Sequence, residues 1–499
     1  MIVPSFELFS EKAKEGNLIP VYQEILADTE TPVSAFLKIK ESPYSYLFES
    51  VEGGEKWGRY SFLGTNPAII IKGFGNTVEV IKKGQRSVFH GGASAAESPL
   101  DLLKKIMAKF KPVSLPDLPR FSGGAIGFIG YEGARFFDAI TFKPKKEATP
   151  DLDFFFMIAD TLIIFDNLKQ KMKIVVNVSI ENENLKEAYE AAVLKIKVIV
   201  ERLRSPLNQS HPFLSPDKKQ SALPQSNMSK EQFLTAVSAA KELIAAGDIF
   251  QVQISQRFSV PLQSDPFLIY RSLRRVNPSP YMYYIEIASL YIVGTSPEVL
   301  VRLENGLSEI RPIAGTRRRG RTDKEDQAME AELLSDPKEA AEHIMLVDLG
   351  RNDLGRVCDY GSVKVTDLMV IERYSHVMHI VSHVVGQLKK THDAYDLLKA
   401  SFPAGTVTGA PKIRAMQIID TLEPQSRGLY AGTVGYIGFD GNMDTCITIR
   451  TIVIDKNVAT VQAAAGIVAD SDPELEYKET LNKAKAMLTA IEMAEQGLI

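Results

Sequence analysis

Only two cysteines, Cys358 and Cys446, occur in 499 residues, which excludes a disulfide framework and fits a reducing compartment. Tryptophan is nearly absent as well, since Trp57 is the only one. No apolar run approaches the ~20 residues of a membrane helix. Stretches such as Ala68–Ile71 and Thr161–Phe165 have the length of strands. The first residues mix Glu11, Lys12, Lys14 and Glu15 with isolated hydrophobes, so a secretory leader is not expected. Charge of one sign is also lacking: 58 Lys and Arg against 62 Asp and Glu leave a net −4. That balance gives no electrostatic reason to expect nucleic acid. These absences together predict a cytoplasmic protein with neither a nucleic-acid nor a membrane partner.

What is present is the composition of a globular chain, 45% hydrophobic and 24% charged, too long for one ordinary core. A seam at 205–227, rich in Pro, Ser, Asn and Gln, reads as a linker or excursion between residues 1–204 and 228–499. Ahead of it, strand-like segments at Ala68–Ile71, Val78–Ile81, Thr161–Phe165 and Ile174–Val178 precede a helix over Asn184–Arg204. Behind it, Ser229 and Gln232 form a capping box for a helix ending near Gly247. A strand follows in which Phe250, Val252 and Ile254 alternate with Gln251, Gln253 and Ser255. Further strands are expected at Tyr283–Glu286, Tyr291–Val293, Val299–Leu303, Thr433–Gly438, Thr445–Ile454 and Val458–Ala464. Helices are expected at Lys324–Leu334, Lys338–Leu349, Tyr395–Ala400, Lys412–Leu422 and Pro473–Gln496. Clustered strands between longer helices indicate an α+β fold.

Two helical segments carry carboxylates three residues apart, Glu339 with Glu342 and Glu476 with Glu479. Each pair projects onto one helical face. If the helices meet, four carboxylates make a hard oxygen site suited to Mg²⁺. If they do not, each pair is a solvated face with salt bridges such as Glu479 to Lys483. The segments AGTVTGAPK (Ala404–Lys412) and PIAGTRRR (Pro312–Arg319) set small residues and threonines beside a cation, which suits backbone donation to an anion or an ordinary turn. The basic run Arg317–Arg321 reads as a solvated loop or a small-anion contact. His376, His379 and His383 fall in a strand-like stretch, where their spacing does not converge on a metal, so one catalytic histidine is expected.

Eight ordered motifs carry a family resemblance. They are GDIFQVQISQRF (Gly247–Phe258), GTSPE (Gly294–Glu298), PIAGTRRRG (Pro312–Gly320), EHIMLVDLGRNDLGRV (Glu342–Val357), ERYSHVMHIVS (Glu372–Ser382), FPAGTVTGAPK (Phe402–Lys412), RGLYAGTVGY (Arg427–Tyr436) and AGIVADSDPELEYKET (Ala465–Thr480). In this order they resemble the chorismate-utilising enzymes: anthranilate, aminodeoxychorismate, isochorismate and salicylate synthases. YLFES (Tyr46–Ser50) and GRYSFLG (Gly58–Gly64) resemble the anthranilate synthase large subunit. The resemblance implies an anthranilate synthase-type fold, a β-sandwich of two packed, largely antiparallel sheets flanked by helices.

It further implies Mg²⁺ on Glu342 and Glu479, with Glu339 and Glu476 supporting through water. Substrate contacts fall on Gly315, Thr316, Thr406, Tyr430, Arg450, Gly466 and Lys483. Glu298 corresponds to the general acid for the departing C4 hydroxyl, and His379 to the histidine associated with chemistry there or at the enolpyruvyl side chain. Gln251 stands where water-adding members carry a lysine base, and glutamine cannot deprotonate water. Ala314 stands where many aminodeoxychorismate synthases carry a nucleophilic lysine, and alanine forms no covalent intermediate. Both positions point to anthranilate and pyruvate from chorismate and ammonia. Ala464 replaces a glycine near the substrate carboxylate, which leaves backbone contact there open.

Neither cysteine lies in an amidotransferase-like nucleophile turn, so a separate glutamine amidotransferase subunit, component II, is the implied nitrogen source. Glu49, Ser50, Pro280, Tyr281 and Met282 correspond to an L-tryptophan feedback site between a regulatory 1–204 region and a catalytic 228–499 region. Trp57 nearby is read as packing. The alternatives are the chorismate subunit of aminodeoxychorismate synthase and a non-catalytic tryptophan-binding subunit.

Overall fold

The computed structural model describes residues 1–41, 43–50, 58–75, 77–82, 84–90, 98–138, 140–143, 145, 152–180, 184–207, 222–374 and 377–497. Trp57, His376 and residues 208–221 of the seam lie outside them. The expected elements form, with their ends adjusted by a few residues. Asn184 caps the helix Leu185–Arg204, and Ser229 and Gln232 close the expected capping box on Lys230–Ala245.

Two large sheets, of 13 and 12 strands, hold the described chain together, and their strand pairs are antiparallel. Each mixes strands from both sides of the seam. In the first, Tyr44–Glu49 pairs with Tyr281–Ile287, setting Glu49 opposite Met282. In the second, Gly124–Ile129 pairs with Thr433–Gly438. Within the seam, Gln225–Ser226 adds an edge strand against Phe258 and Ser259.

Aromatic and branched side chains from both sheets, among them Tyr46, Phe62, Phe128, Phe155, Tyr283 and Tyr436, fill the space between the sheets. Outside the first sheet pack the helices Pro32–Ile39, Leu185–Arg204, Pro266–Val276 and Pro473–Glu495. A second cluster joins the other sheet to Pro99–Met107, Lys230–Ala245, Ala394–Ser401 and Lys412–Leu422. The result is the expected β-sandwich with helices on its outer faces.

Two expectations need correction. Thr445–Ile454 is not one strand. Met443–Ile447 belongs to the second sheet and Thr451–Asp455 to the first, and the chain turns between them through Arg450 at φ +49°. Apolar alternation cannot reveal a strand that changes sheets, because the pattern runs through the corner. Phe250 is 74% exposed, whereas Gln251, Ser255 and Gln256 are buried. Both faces of Gln251–Pro261 are covered, and its polar face finds polar partners: the Ser255 hydroxyl donates to Glu423 and the Gln256 amide to Thr480.

Candidate active site

The site forms where the chain crosses between the sheets. Leu290–Ser296 lies in the first sheet and Val299–Glu304 in the second, and Glu298 sits in the short passage between them. Its backbone is pinned on both sides: the Glu298 N–H donates to Ser296 Oγ at 3.3 Å, and the Ile447 N–H donates to its carbonyl at 3.0 Å. Arg450 occupies the return crossing, where its carbonyl accepts the Thr295 N–H at 3.1 Å. Burial pushes the Glu298 carboxyl up to about 7, against the pull of Thr406, Arg450 and Lys483. A carboxylic acid is thereby kept protonated up to about neutrality, where roughly half of it is still acid, beside three groups expected to bind an anionic substrate.

His379 lies on Val377–Gln387, opposite Thr316 across a bulge in Ile313–Arg318. Its Nδ1 donates to the Gly315 carbonyl at 3.1 Å and also lies 3.0 Å from Thr316 Oγ1. This fixes a tautomer that leaves Nε2 as the basic nitrogen, and burial lowers its proton affinity. Gly315 needs its missing side chain. It has φ +65°, and a Cβ there would stand 3.1 Å from Glu339 Oε2.

The carboxylate helices start alike. Ser335-Asp336-Pro337 and Ser471-Asp472-Pro473 open Pro337–Gly355 and Pro473–Glu495, with the aspartate as cap and proline at the first turn. This repeated tripeptide places each glutamate pair within the first two turns of its helix, three and six residues after Asp336 and four and seven after Asp472. Glu342 accepts from Gln251 Nε2 at 2.9 Å, and Arg317 reaches Glu339 at 3.1 Å. On the facing helix, Glu479 pairs with Lys483 at 2.7 Å, and Lys483 also donates to the Ala464 carbonyl at 3.0 Å. The expected i,i+4 salt bridge therefore exists, with both side chains about half exposed.

Among the described residues no three His, Cys, Asp or Glu side chains gather closely enough to hold a metal by themselves. The glutamates lie on two helices, Glu339 and Glu342 on one and Glu476 and Glu479 on the other. Their chemistry nevertheless suits Mg²⁺. Every donor is a hard oxygen, and Glu476 is raised by burial and by Glu479 beside it while the charge of Lys338, from the other helix, opposes that. A dication held by these glutamates would relieve this repulsion.

Other expected residues fall around these. The partly buried Tyr430 carries its phenol in hydrogen-bond contact with the backbone of buried Ala464. A Cβ on Gly466 would lie 2.8 Å from Gln253 Nε2 and 2.9 Å from Gln251 Nε2. Thr406 shares with Glu298 a pocket of about 30 Å³, room for one water. PIAGTRRR is a strand rather than a turn, and its cations pair with the acidic helix Asp323–Ser335 and its flank: Arg317 with Glu332 and Asp336, Arg318 with Glu325, Arg319 with Asp326.

Sequence reasoning missed Arg427, a fully buried arginine. It donates to the Val407 carbonyl at 2.7 Å and the Gln253 carbonyl at 2.8 Å and pairs with Glu423 at 2.7 Å. It thus ties the threonine loop to the strand bearing Gln251. Its signals were its place at the head of RGLYAGTVGY and a glutamate four residues earlier, a spacing also common on surfaces. Lys412, paired with buried Asp353 at 3.1 Å, anchors the same loop to the Glu339–Glu342 helix.

Glu49, Ser50, Pro280, Tyr281 and Met282 line one separate cavity of about 770 Å³ at the junction of Tyr44–Glu49 and Tyr281–Ile287. Glu49 is buried, bonded by the Tyr270 hydroxyl and paired with Arg274 at 3.2 Å. The cavity reaches Arg302, Arg311, Glu372 and His383 at its polar end.

Comparison with known proteins agrees with this geometry. A family described as chorismate binding enzyme matches residues 50–489. Anthranilate synthase component 1 from Acetivibrio thermocellus is 49% identical over 99% of both chains. Its counterpart from Synechocystis sp. is 50% identical over 98% of this chain and 99% of its own. Among solved structures, anthranilate synthase component I from Streptococcus pneumoniae superposes with a TM-score of 0.77 at 37% identity, covering 93% of this chain and 98% of its own. The menaquinone-specific isochorismate synthase of Escherichia coli shares the fold, with a TM-score of 0.68 at 20% identity. No helix among the described residues is long and apolar enough to cross a membrane.

Proposed function

The chain belongs to the chorismate-binding enzymes and, within them, to the anthranilate synthase component 1 family, and on that premise we propose how its residues carry the reaction. The reaction converts chorismate and ammonia into anthranilate, pyruvate and water in tryptophan biosynthesis. The observation that carries the assignment of roles is Glu298: a buried carboxyl, protonated near neutrality, beside Arg450, Lys483 and Thr406.

Arg450 and Lys483 bind substrate carboxylates, the arginine through its planar fork, with Thr316, Thr406, Tyr430 and the backbone at Gly315 and Gly466 orienting the ring. Ammonia adds at C2 while Glu298 gives its proton to the C4 hydroxyl, which departs as water. His379, held by Gly315, presents Nε2 towards the same chemistry. Loss of pyruvate from the amino intermediate then makes the ring aromatic. Glu342 and Glu479, with Glu339 and Glu476 through water, are the residues that would hold Mg²⁺, which supplies Lewis acidity at the ring carboxylate. Gln251 holds Glu342 instead of activating water, and Ala314 offers no nucleophile.

A separate glutamine amidotransferase subunit supplies the ammonia in this reading. Supporting it, Cys358 and Cys446 are both buried, and burial raises their thiols, the reverse of an activated nucleophile. The 770 Å³ cavity takes L-tryptophan as feedback inhibitor, supported by the five expected residues meeting on its wall.

The test is incubation of the chain with chorismate, Mg²⁺ and excess ammonium, with products identified by mass. Anthranilate with equimolar pyruvate is expected. Aminodeoxychorismate without pyruvate would refute the assigned outcome and show Ala314 to be a poor discriminator.

A further inference from the structure

The cavity and the catalytic groups share one side chain. Among the described residues, Arg311 alone lines both the 770 Å³ cavity and the 30 Å³ pocket beside Glu298 and Thr406. Its guanidinium is paired with Oε1 of Glu372, which also lines the cavity. The second oxygen of Glu372 accepts the Tyr374 hydroxyl at 3.0 Å. Tyr374 sets its ring against the His379 imidazole, with centroids 5.6 Å apart and planes at 63°. Glu372 is also the direct cross-strand neighbour of His379. The backbone beneath Tyr374 is held at both ends: its N–H donates to the Val377 carbonyl at 2.8 Å, and its carbonyl accepts from Arg319 at 2.9 Å.

We propose that Arg311, Glu372 and Tyr374 are positioning residues that hold the His379 ring and connect it to the cavity wall, so that an occupant engaging Arg311 or Glu372 disturbs the catalytic histidine. Glu372 is the pivot, because each of its oxygens serves a different neighbour. A cavity ligand with its own ammonium or carboxylate competes for this pair, and any swing of Glu372 withdraws the acceptor that orients Tyr374. Edge-to-face contact is directional, so a turned tyrosine leaves the imidazole unsupported on that side. None of the three needs to touch chorismate. The second half of the proposal, transmission from the cavity, rests on reading the cavity as the tryptophan site.

The experiment uses Glu372→Gln, Tyr374→Phe and the double variant, with ammonium as nitrogen donor. Glu372→Gln is expected to lower kcat about tenfold with KM for chorismate within about twofold, and the double variant to fall no further, because the two act in series. Parental kcat and KM in Glu372→Gln, or losses that multiply in the double variant, overturn the positioning role. Tyr374→Phe keeps the ring and its packing, and a parental kcat there overturns the series even if Glu372→Gln fails to fold. Tryptophan binding is then measured by calorimetry with and without chorismate and Mg²⁺, ammonia being omitted. In the parent, chorismate should weaken tryptophan binding about tenfold, and in Glu372→Gln less than about threefold. An unchanged ratio overturns transmission. A parent that binds no tryptophan refutes the reading of the cavity and transmission with it, while the kinetic comparison still decides positioning.

Discussion

Gln251 donates its amide N–H to Oε1 of Glu342 across 2.9 Å, joining the covered strand Gln251–Pro261 to the helix that carries two of the four site glutamates. The contact orients a proposed ligand from outside the ligand set, the role supporting groups play around metals. Glu342→Gln should abolish Mg²⁺-dependent turnover. Gln251→Leu should keep turnover but raise the Mg²⁺ concentration for half-maximal rate about tenfold. Initial rates against Mg²⁺ check both, and near-normal activity in Glu342→Gln would sink the metal assignment.

Glu298 makes function and stability pull in opposite directions. Its folded-state pKa is raised from 4.5 to about 7, so between these values the unfolded chain has lost a proton that the folded one keeps. The unfolded state then binds fewer protons, and stability falls as pH rises through that window. The native-state cost above pH 7 is roughly 3 kcal/mol. Glu298→Gln should therefore melt higher than the parent at pH 8 and no higher below pH 4.5, while losing at least about a hundredfold in kcat. At constant free ammonia, the parental rate should decline above pH 7. Thermal melts at the two pH values and a rate profile decide it.

Gly466→Ala separates activity from folding. The added methyl meets the amide ends of Gln251 and Gln253, which can swing, and no backbone atom stands among its nearest neighbours. Stability should change by less than about 1 kcal/mol, but Gln251 should leave Glu342 and the Mg²⁺ concentration for half-maximal rate should rise about tenfold, as in Gln251→Leu. A stable variant with parental Mg²⁺ dependence would show that Gln251 does not matter for the site.

Glu49 tests the inhibitor cavity. Its carboxylate is held by Tyr270 and Arg274 on a wall facing the cavity, where an amino acid's ammonium needs an anion. Glu49→Gln should raise the tryptophan concentration for half-inhibition about tenfold. Equal inhibition of both proteins would place the ammonium elsewhere.

The nitrogen source is checked with the isolated chain. Glutamine alone should yield no anthranilate, whereas ammonium should, because both thiols are buried. Glutamine-dependent product from the pure chain would require an amidotransferase centre within it.

How much of this was legible beforehand depends on the range of the interaction. Helix starts, the capping box at Ser229 and the pairing of Glu339 with Glu342 and Glu476 with Glu479 depend on neighbours within one turn, and such contacts are written in the sequence. The motif order was enough for the family and, through Gln251 and Ala314, for the reaction. Tertiary structure alone decided the rest. It split Thr445–Ile454 between two sheets and put Arg450 in the turn, because a strand's apolar pattern is the same on either side of the corner. It buried the Arg427–Glu423 pair, and it paired the basic run with an acidic helix. It also set Arg311 between the cavity and Glu298. Those outcomes depend on which distant segments stack, and side-chain burial and charge pairing are set only once the two sheets close on each other.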